Sequence, residues 1–137
     1  MSALVVDTDV VSLGFRQSDN FVHHYGPALV GSRLIVSFMT IAELAFGALN
    51  RQWGPRKCQQ LSEYMNRHYV RFDQTEPMCQ IWAELCWEAK TRGRVLPTAD
   101  GWVAATAVYL NLPLVTHNAR DFNYLPQVKI ITFPSTE

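Results

Sequence analysis

Four carboxylates stand where this chain could do chemistry: Asp7, Glu43, Asp100 and Asp121. Asp7 closes the apolar run Ala3-Leu4-Val5-Val6 and is followed by Thr8 and Asp9. Glu43 comes after Leu34-Ile35-Val36, with Ser37 and Thr40 between. Asp100 lies just past Pro97-Thr98, and Asp121 follows Leu114-Val115-Thr116, His117 and Asn118. Singly, most have an ordinary explanation. Asp7 or Asp9 can cap a helix N-terminus, Asp100 suits a helix first turn, and Asp121 can cap the turn before Pro126. Glu43 fits such an account least. At helical spacing it lies opposite the stripe Ile41, Leu44, Ala45 and Ala48, yet its own neighbours Met39, Phe46 and Gly47 are apolar or small, which suits a pocket wall or a seam. Lys and Arg do not adjoin Asp7, Glu43 or Asp100; Arg120 adjoins Asp121. Unpaired acids brought together raise one another's pKa values. A hard divalent cation relieves that repulsion, and oxygen ligands suit Mg²⁺ or Mn²⁺. Two such ions roughly 3.5–4 Å apart can activate a water and stabilise the leaving oxygen of a phosphodiester. Zinc is not expected, because His23, His24, His68 and His117 lack an HExxH spacing and Cys58, Cys79 and Cys86 form no CxxC pair.

The positioning elements follow from the apolar pattern. Ala3–Val6, Leu34–Ser37, Val70–Phe72, Leu112–Thr116 and Val128–Ile131 read as short buried strands. Helices are expected over Ser18–Gly31, weakened by Gly26-Pro27, over Phe38–Asn50, and from Gly54-Pro55 with Leu61, Tyr64, Met65, His68 and Tyr69 on one stripe. Another starts at Thr75-Glu76-Pro77, buries Met78, Ile81, Trp82, Leu85 and Ala89, and ends at Arg92-Gly93; a last one follows Pro97-Thr98. Short apolar strands alternating with helices indicate an α/β fold with a parallel sheet covered on both faces. Ligands in such folds bind outside the carboxyl ends of the strands. That is the end from which all four acids project.

Composition bounds the rest. At 137 residues and 48% hydrophobic, residues 1–137 make one domain with a real core. Lys+Arg and Asp+Glu are 12 each, so overall charge gives no steering toward nucleic acid. Setting the four acids aside leaves the remaining surface at net +4. The apolar runs are too short for a membrane helix, the start shows no basic leader segment, and unpaired cysteines fit a reducing cytoplasm.

The segments Leu4-Val5-Val6-Asp7-Thr8-Asp9-Val10, Thr40-Ile41-Ala42-Glu43-Leu44, Asp100-Gly101-Trp102-Val103-Ala104-Ala105-Thr106-Ala107 and Leu114-Val115-Thr116-His117-Asn118-Ala119-Arg120-Asp121-Phe122 run in order along the chain. In these it resembles the PIN-domain ribonucleases, most closely VapC-type toxins. The resemblance implies a three-layer α/β/α fold with about five mostly parallel strands and a Mg²⁺- or Mn²⁺-dependent endoribonuclease. It implies Asp7, Glu43, Asp100 and Asp121 as metal-binding acids, with Thr8, Thr116 and Asn118 as polar helpers. It also implies an antitoxin partner and a homodimer. Asp9 stands where the family often has Asn, and either contact with metal through water or capping of the first helix is open to it. Gly101 replaces a commoner Ala, which would loosen its helix.

Arg51, Arg56 and Lys57, and Lys90, Arg92 and Arg94, form two basic groups that could hold RNA phosphates, or could be solvated helix ends. Trp87, and with it Trp53, is a candidate for a partner interface, because Trp87 falls opposite its helix's buried stripe; cover by another helix of the domain is the alternative. Two other functions fit parts of the pattern. Asp7-Thr8-Asp9-Val10 satisfies the nucleophile motif of haloacid-dehalogenase-type phosphohydrolases, but that reading leaves Glu43 without a task. A non-catalytic PIN domain that binds RNA or protein is the other.

Overall fold

The computed structural model describes residues 2–134. Five strands form one parallel sheet: β1 (Ala3–Val6), β2 (Arg33–Ser37), β3 (Val70–Phe72), β4 (Leu114–Val115) and β5 (Ile130–Ile131). Their order is β3-β2-β1-β4-β5. The chain builds outward from β1 on one side, then returns to add β4 on the other. The order therefore reverses at β1, and a crevice opens between the carboxyl ends of β1 and β4. Val6 stands level with Val115 there, so Asp7 and Thr116 are the first residues beyond the sheet.

The α-helices are α1 (Thr8–Phe15), α2 (Gly26–Leu29), α3 (Phe38–Asn50), α4 (Pro55–His68), α5 (Glu76–Thr91) and α6 (Thr98–Leu110). Alternate strand residues feed two cores, because side chains of a strand point to opposite faces. Val5 and Leu114 pack with Leu85, Val103 and Phe122 on the α5–α6 side. Leu4, Val6 and Val115 pack with Val10, Tyr25, Leu61 and Met65 on the other. The result is the expected three-layer α/β/α arrangement of five strands.

Local chemistry sets the helix starts. Asp7 caps α1, its carboxylate accepting from the Thr8 N–H, and the Ser37 hydroxyl accepts from the Met39 N–H at the start of α3. The expected starts at Pro55 and Thr75 are present, and Gly93, at φ +74°, follows the end of α5.

Two expectations change. The segment Ser18–Gly31 is not one α-helix: Phe21–Tyr25 is a π turn that runs into α2. Pro27 has no N–H and crowds the preceding turn; the wider turn lets the Gly26 N–H reach back to the Phe21 carbonyl. The last two strands are shorter than expected. Pro113 has no N–H and lends the ladder only its carbonyl, to the Val5 N–H, while the Val128 N–H turns back to the Leu125 carbonyl. Among the described residues, no helix is long and apolar enough to cross a membrane.

Candidate active site

Asp7 sits at the reversal point with 7% of its surface exposed. Its Oδ1 accepts from the Thr8 N–H at 2.8 Å, and its Oδ2 accepts from the Thr116 hydroxyl at 2.8 Å. The cap that starts α1 and the β1–β4 pairing thus fix one carboxylate between them. Asp9 is the second residue of α1, whose N-cap is Asp7, and it serves both the helix's first turn and the loop after β4. Its Oδ1 accepts from the Val10 N–H (2.7 Å), and its Oδ2 accepts from the His117 N–H and from Asn118 Nδ2, both at 3.0 Å. Asp9 therefore staples α1 to the loop after β4. Asn118 works on Asp9, and its backbone N–H also donates to the Thr116 hydroxyl oxygen at 3.2 Å.

Glu43 is half-buried on α3. The Thr8 hydroxyl donates to its Oε1 at 2.6 Å and also stands 2.9 Å from Thr40 Oγ1. Glu43 thus forms a wall rather than a solvated face, and with Thr8, Arg16 and Arg51 it lines a hollow of about 580 Å³. Asp100 lies in the first turn of α6, and Asp121 ends the short 3₁₀ turn Ala119–Asp121.

Electrostatics tie these acids into one group. Burial, then the charge of Asp9, pushes Asp7 up to about 8 against the pull of its Thr116 and Thr8 hydrogen bonds, and Asp100 adds to the rise. Burial likewise raises Asp9, opposed by its hydrogen bonds and by the nearby His117. Asp100 is pushed up to about 6 by burial and then by Asp121, Glu43 and Asp9. The two ion pairs among the described residues, Arg71–Asp73 and Arg92–Glu88, involve none of them. These carboxylates are close enough to repel, yet no three His, Cys, Asp or Glu side chains among the described residues already close on one point. An all-oxygen set of this kind fits Mg²⁺ or Mn²⁺ better than zinc, since Mg²⁺ keeps several waters and needs only one or two carboxylates directly.

The basic residues sort by position. The Arg94 guanidinium lies 3.8 Å over the Tyr124 ring and donates to the Arg120 carbonyl at 3.0 Å. Burial raises the Tyr124 pKa; Arg94 lowers it, while Asp100 and Asp121 raise it, which places this shelf beside the acids. Arg94 and Tyr124 are 30 positions apart, and the sequence gives no signal that pairs them. Arg51 lines the Glu43 hollow. Lys57 rests over Trp53 at 4.3 Å, and Arg92 is paired with Glu88 at 3.0 Å. Arg56 and Lys90 are exposed, with Lys90 6.0 Å from the Trp87 ring. Trp53 is half-buried against Phe15, at 5.7 Å between ring centroids. Trp87 is 64% exposed, so no helix of this domain covers it.

Gly101 departs from expectation. A Cβ at that position would come within 2.6 Å of Trp82 Nε1, and that indole N–H donates to the Thr98 carbonyl at 3.2 Å. Glycine there admits a tryptophan that braces the first turn of α6, the turn that carries Asp100.

A family model described as "PIN domain" matches residues 4–127. Ribonuclease VapC1 of Haemophilus influenzae strain R2866 is 28% identical over 129 residues, covering 91% of this chain and 93% of the relative. VapC ribonuclease Y4jK of Sinorhizobium fredii is 30% identical over 131 residues, covering 87% and 89%. Among solved structures, VapBC-5 of Mycobacterium tuberculosis, described as a member of the VapBC family of toxin–antitoxin systems, aligns with a TM-score of 0.72 at 27% identity over 97% of this chain and 100% of that one.

Proposed function

Because this chain belongs to the PIN-domain family, we propose that it is an endoribonuclease, the toxin of a toxin–antitoxin pair, and that it works with Mg²⁺ or Mn²⁺. The observation that carries the reading is the group of repelling carboxylates beyond the carboxyl ends of the strands, two of them held well above the usual carboxylate range, with no ion pair among the described residues neutralising any of them. The relatives named as VapC ribonucleases and the related VapBC toxin–antitoxin structure support the substrate class and the protein partner.

Asp7, Glu43, Asp100 and Asp121 would hold the ion. Bound there, it would neutralise the acids, lower the pKa of a water and offset charge on the phosphodiester. The protein's own groups do the positioning. Thr116 fixes Asp7, Thr8 fixes Glu43, and the His117 N–H with Asn118 fixes Asp9. Arg94, held on Tyr124, supplies a cation for an RNA phosphate beside the acids. The reaction is in-line hydrolysis: a P–O bond forms from water and the chain P–O bond breaks, with no covalent enzyme adduct. An aspartyl-phosphate route is disfavoured, because it leaves Glu43 without a task and the chain's family is not that of the dehalogenase-type enzymes.

The test is cleavage of a broad RNA pool with Mg²⁺ or Mn²⁺, repeated in excess EDTA and with Asp7→Asn. Cleavage should need the metal and Asp7. Full turnover in EDTA would refute metal dependence, and RNA binding without cleavage under every metal would favour the non-catalytic reading.

A further inference from the structure

Tyr25 is fully buried (0% exposed) at the end of the π turn, and its phenol reaches the loop after β4. A phenylalanine would fill the same space, so the hydroxyl calls for a reason of its own. The Tyr25 oxygen accepts from the Phe133 N–H at 3.0 Å and lies 2.8 Å from His117 Nδ1. The Thr116 carbonyl is farther, at 3.5 Å. A backbone N–H can only donate, so Phe133 occupies one lone pair of the oxygen; the shorter of the two remaining contacts, to His117 Nδ1, is a hydrogen bond in either imidazole tautomer. The two rings meet edge to face at 5.7 Å. The backbone N–H of His117 donates to Asp9 Oδ2, the oxygen that also takes Asn118 Nδ2. Phe133 is itself held: its ring meets Tyr25 at 5.2 Å and His24 at 6.1 Å, and its carbonyl accepts from Asn20 Nδ2 at 3.1 Å.

We propose that Tyr25 is a positioning residue of the hydrolytic site: the chain from the Phe133 N–H through the Tyr25 hydroxyl to His117 holds the loop whose two donors clamp Asp9. The proposal rests on the nuclease reading given above. It links the segment beyond β5, through one buried hydroxyl, to the acid cluster.

The test is Tyr25→Phe, with Leu29→Ala as a control from the same buried cluster but outside the hydrogen-bond chain. In Tyr25→Phe, kcat on RNA should fall about tenfold while KM stays within about twofold, the scale seen when a group behind a site's ligands is lost. In the metal-free protein, ¹⁵N spectra of wild type should show His117 Nδ1 engaged in a hydrogen bond. Tyr25→Phe should shift that signal and the His117 and Asn118 amide signals. Leu29→Ala should lower Tm at least as much and leave kcat and these signals unchanged. Unmoved His117 and Asn118 signals in Tyr25→Phe, or a kcat loss matched by Leu29→Ala, would overturn the proposal. If wild type cleaves no RNA, the nuclease reading fails by itself, and the nitrogen and amide signals still decide whether Tyr25 positions the Asp9 clamp.

Discussion

Asp7 shows how one residue carries both structure and chemistry. It caps α1 and spans to Thr116, yet burial and Asp9 keep its pKa near 8. Asp7→Asn keeps the shape and the N-cap role, since Asn caps nearly as well as Asp. It should leave Tm unchanged or higher without metal, and lower RNA cleavage by about three orders of magnitude if several kcal/mol of charge stabilisation goes with the ligand. Asp100 gives a sharper pH test. Its folded-state pKa, about 6, is above the ordinary 3.8. Below about pH 3, under both pKa values, both states hold the proton and the group is neutral to stability. As pH rises from there toward 6, the unfolded chain releases its proton more readily and the fold loses stability; above 6 the penalty is constant. The metal-free Tm of Asp100→Asn should therefore match wild type at about pH 3 and exceed it by on the order of 3–6 °C at pH 7. Loss of the first-turn charge opposes this only slightly. A lower Tm for Asp100→Asn at pH 7, measured by calorimetry in EDTA, would make Asp100 a structural cap instead.

At the scale of the element, the entry to α6 is set by packing rather than by helix propensity. Gly101→Ala would gain about 1 kcal/mol of helix propensity, but it drives a methyl into the body of the Trp82 indole, 2.6 Å away. Overpacking of that kind costs about 1–3 kcal/mol, so the clash should win and Tm should fall by a few degrees. Removing the obstacle in Trp82→Leu/Gly101→Ala should recover most of that loss relative to Trp82→Leu alone, a double-mutant cycle that thermal melts can read. On α5, Trp87 presents its ring to solvent next to Lys90. Trp87→Ala should leave Tm within about 2 °C, as for a surface change, and weaken self-association or antitoxin binding in sedimentation or titration. A large loss of stability with assembly intact would put Trp87 in the fold's own packing.

For the whole molecule, the acid cluster is a standing cost that a ligand can relieve. On the proposed metal site, Mg²⁺ should raise the wild-type Tm by binding the folded chain and not the unfolded one; at a hundred times its dissociation constant the gain would be about 2.7 kcal/mol. Asp100→Asn should gain much less, and comparison of melts with and without Mg²⁺ checks it. The fold supplies the frame for the proposed site: parallel strands whose order reverses at β1 bring Asp7, Glu43 and Asp121 within electrostatic reach of Asp100, although they are spread over most of the chain.

The sequence by itself determined the layered architecture, because strand and helix periods, Pro55, Thr75-Glu76-Pro77 and Gly93 act locally and need no distant partner. It also singled out Asp7, Glu43, Asp100 and Asp121, and the folded chain sets Asp100 near enough to Glu43 and Asp121 to feel their charge. Tertiary structure decided what pairing over long separations alone can decide. Asp9 accepts from the Val10 N–H in the first turn of α1, and its other partners, His117 and Asn118, lie 108 and 109 residues away and make it a staple as well. Gly101 looked like a loosened turn until Trp82 filled the space its missing Cβ leaves. Arg94 stood as one of six similar cations until Tyr124 set it beside the acids. Tyr25 gave no sign of its hydroxyl's use, because an apolar face reads the same whether a buried aromatic ends in hydrogen or in oxygen. Local patterns record which face of an element is buried; only the folded chain records which atoms meet there.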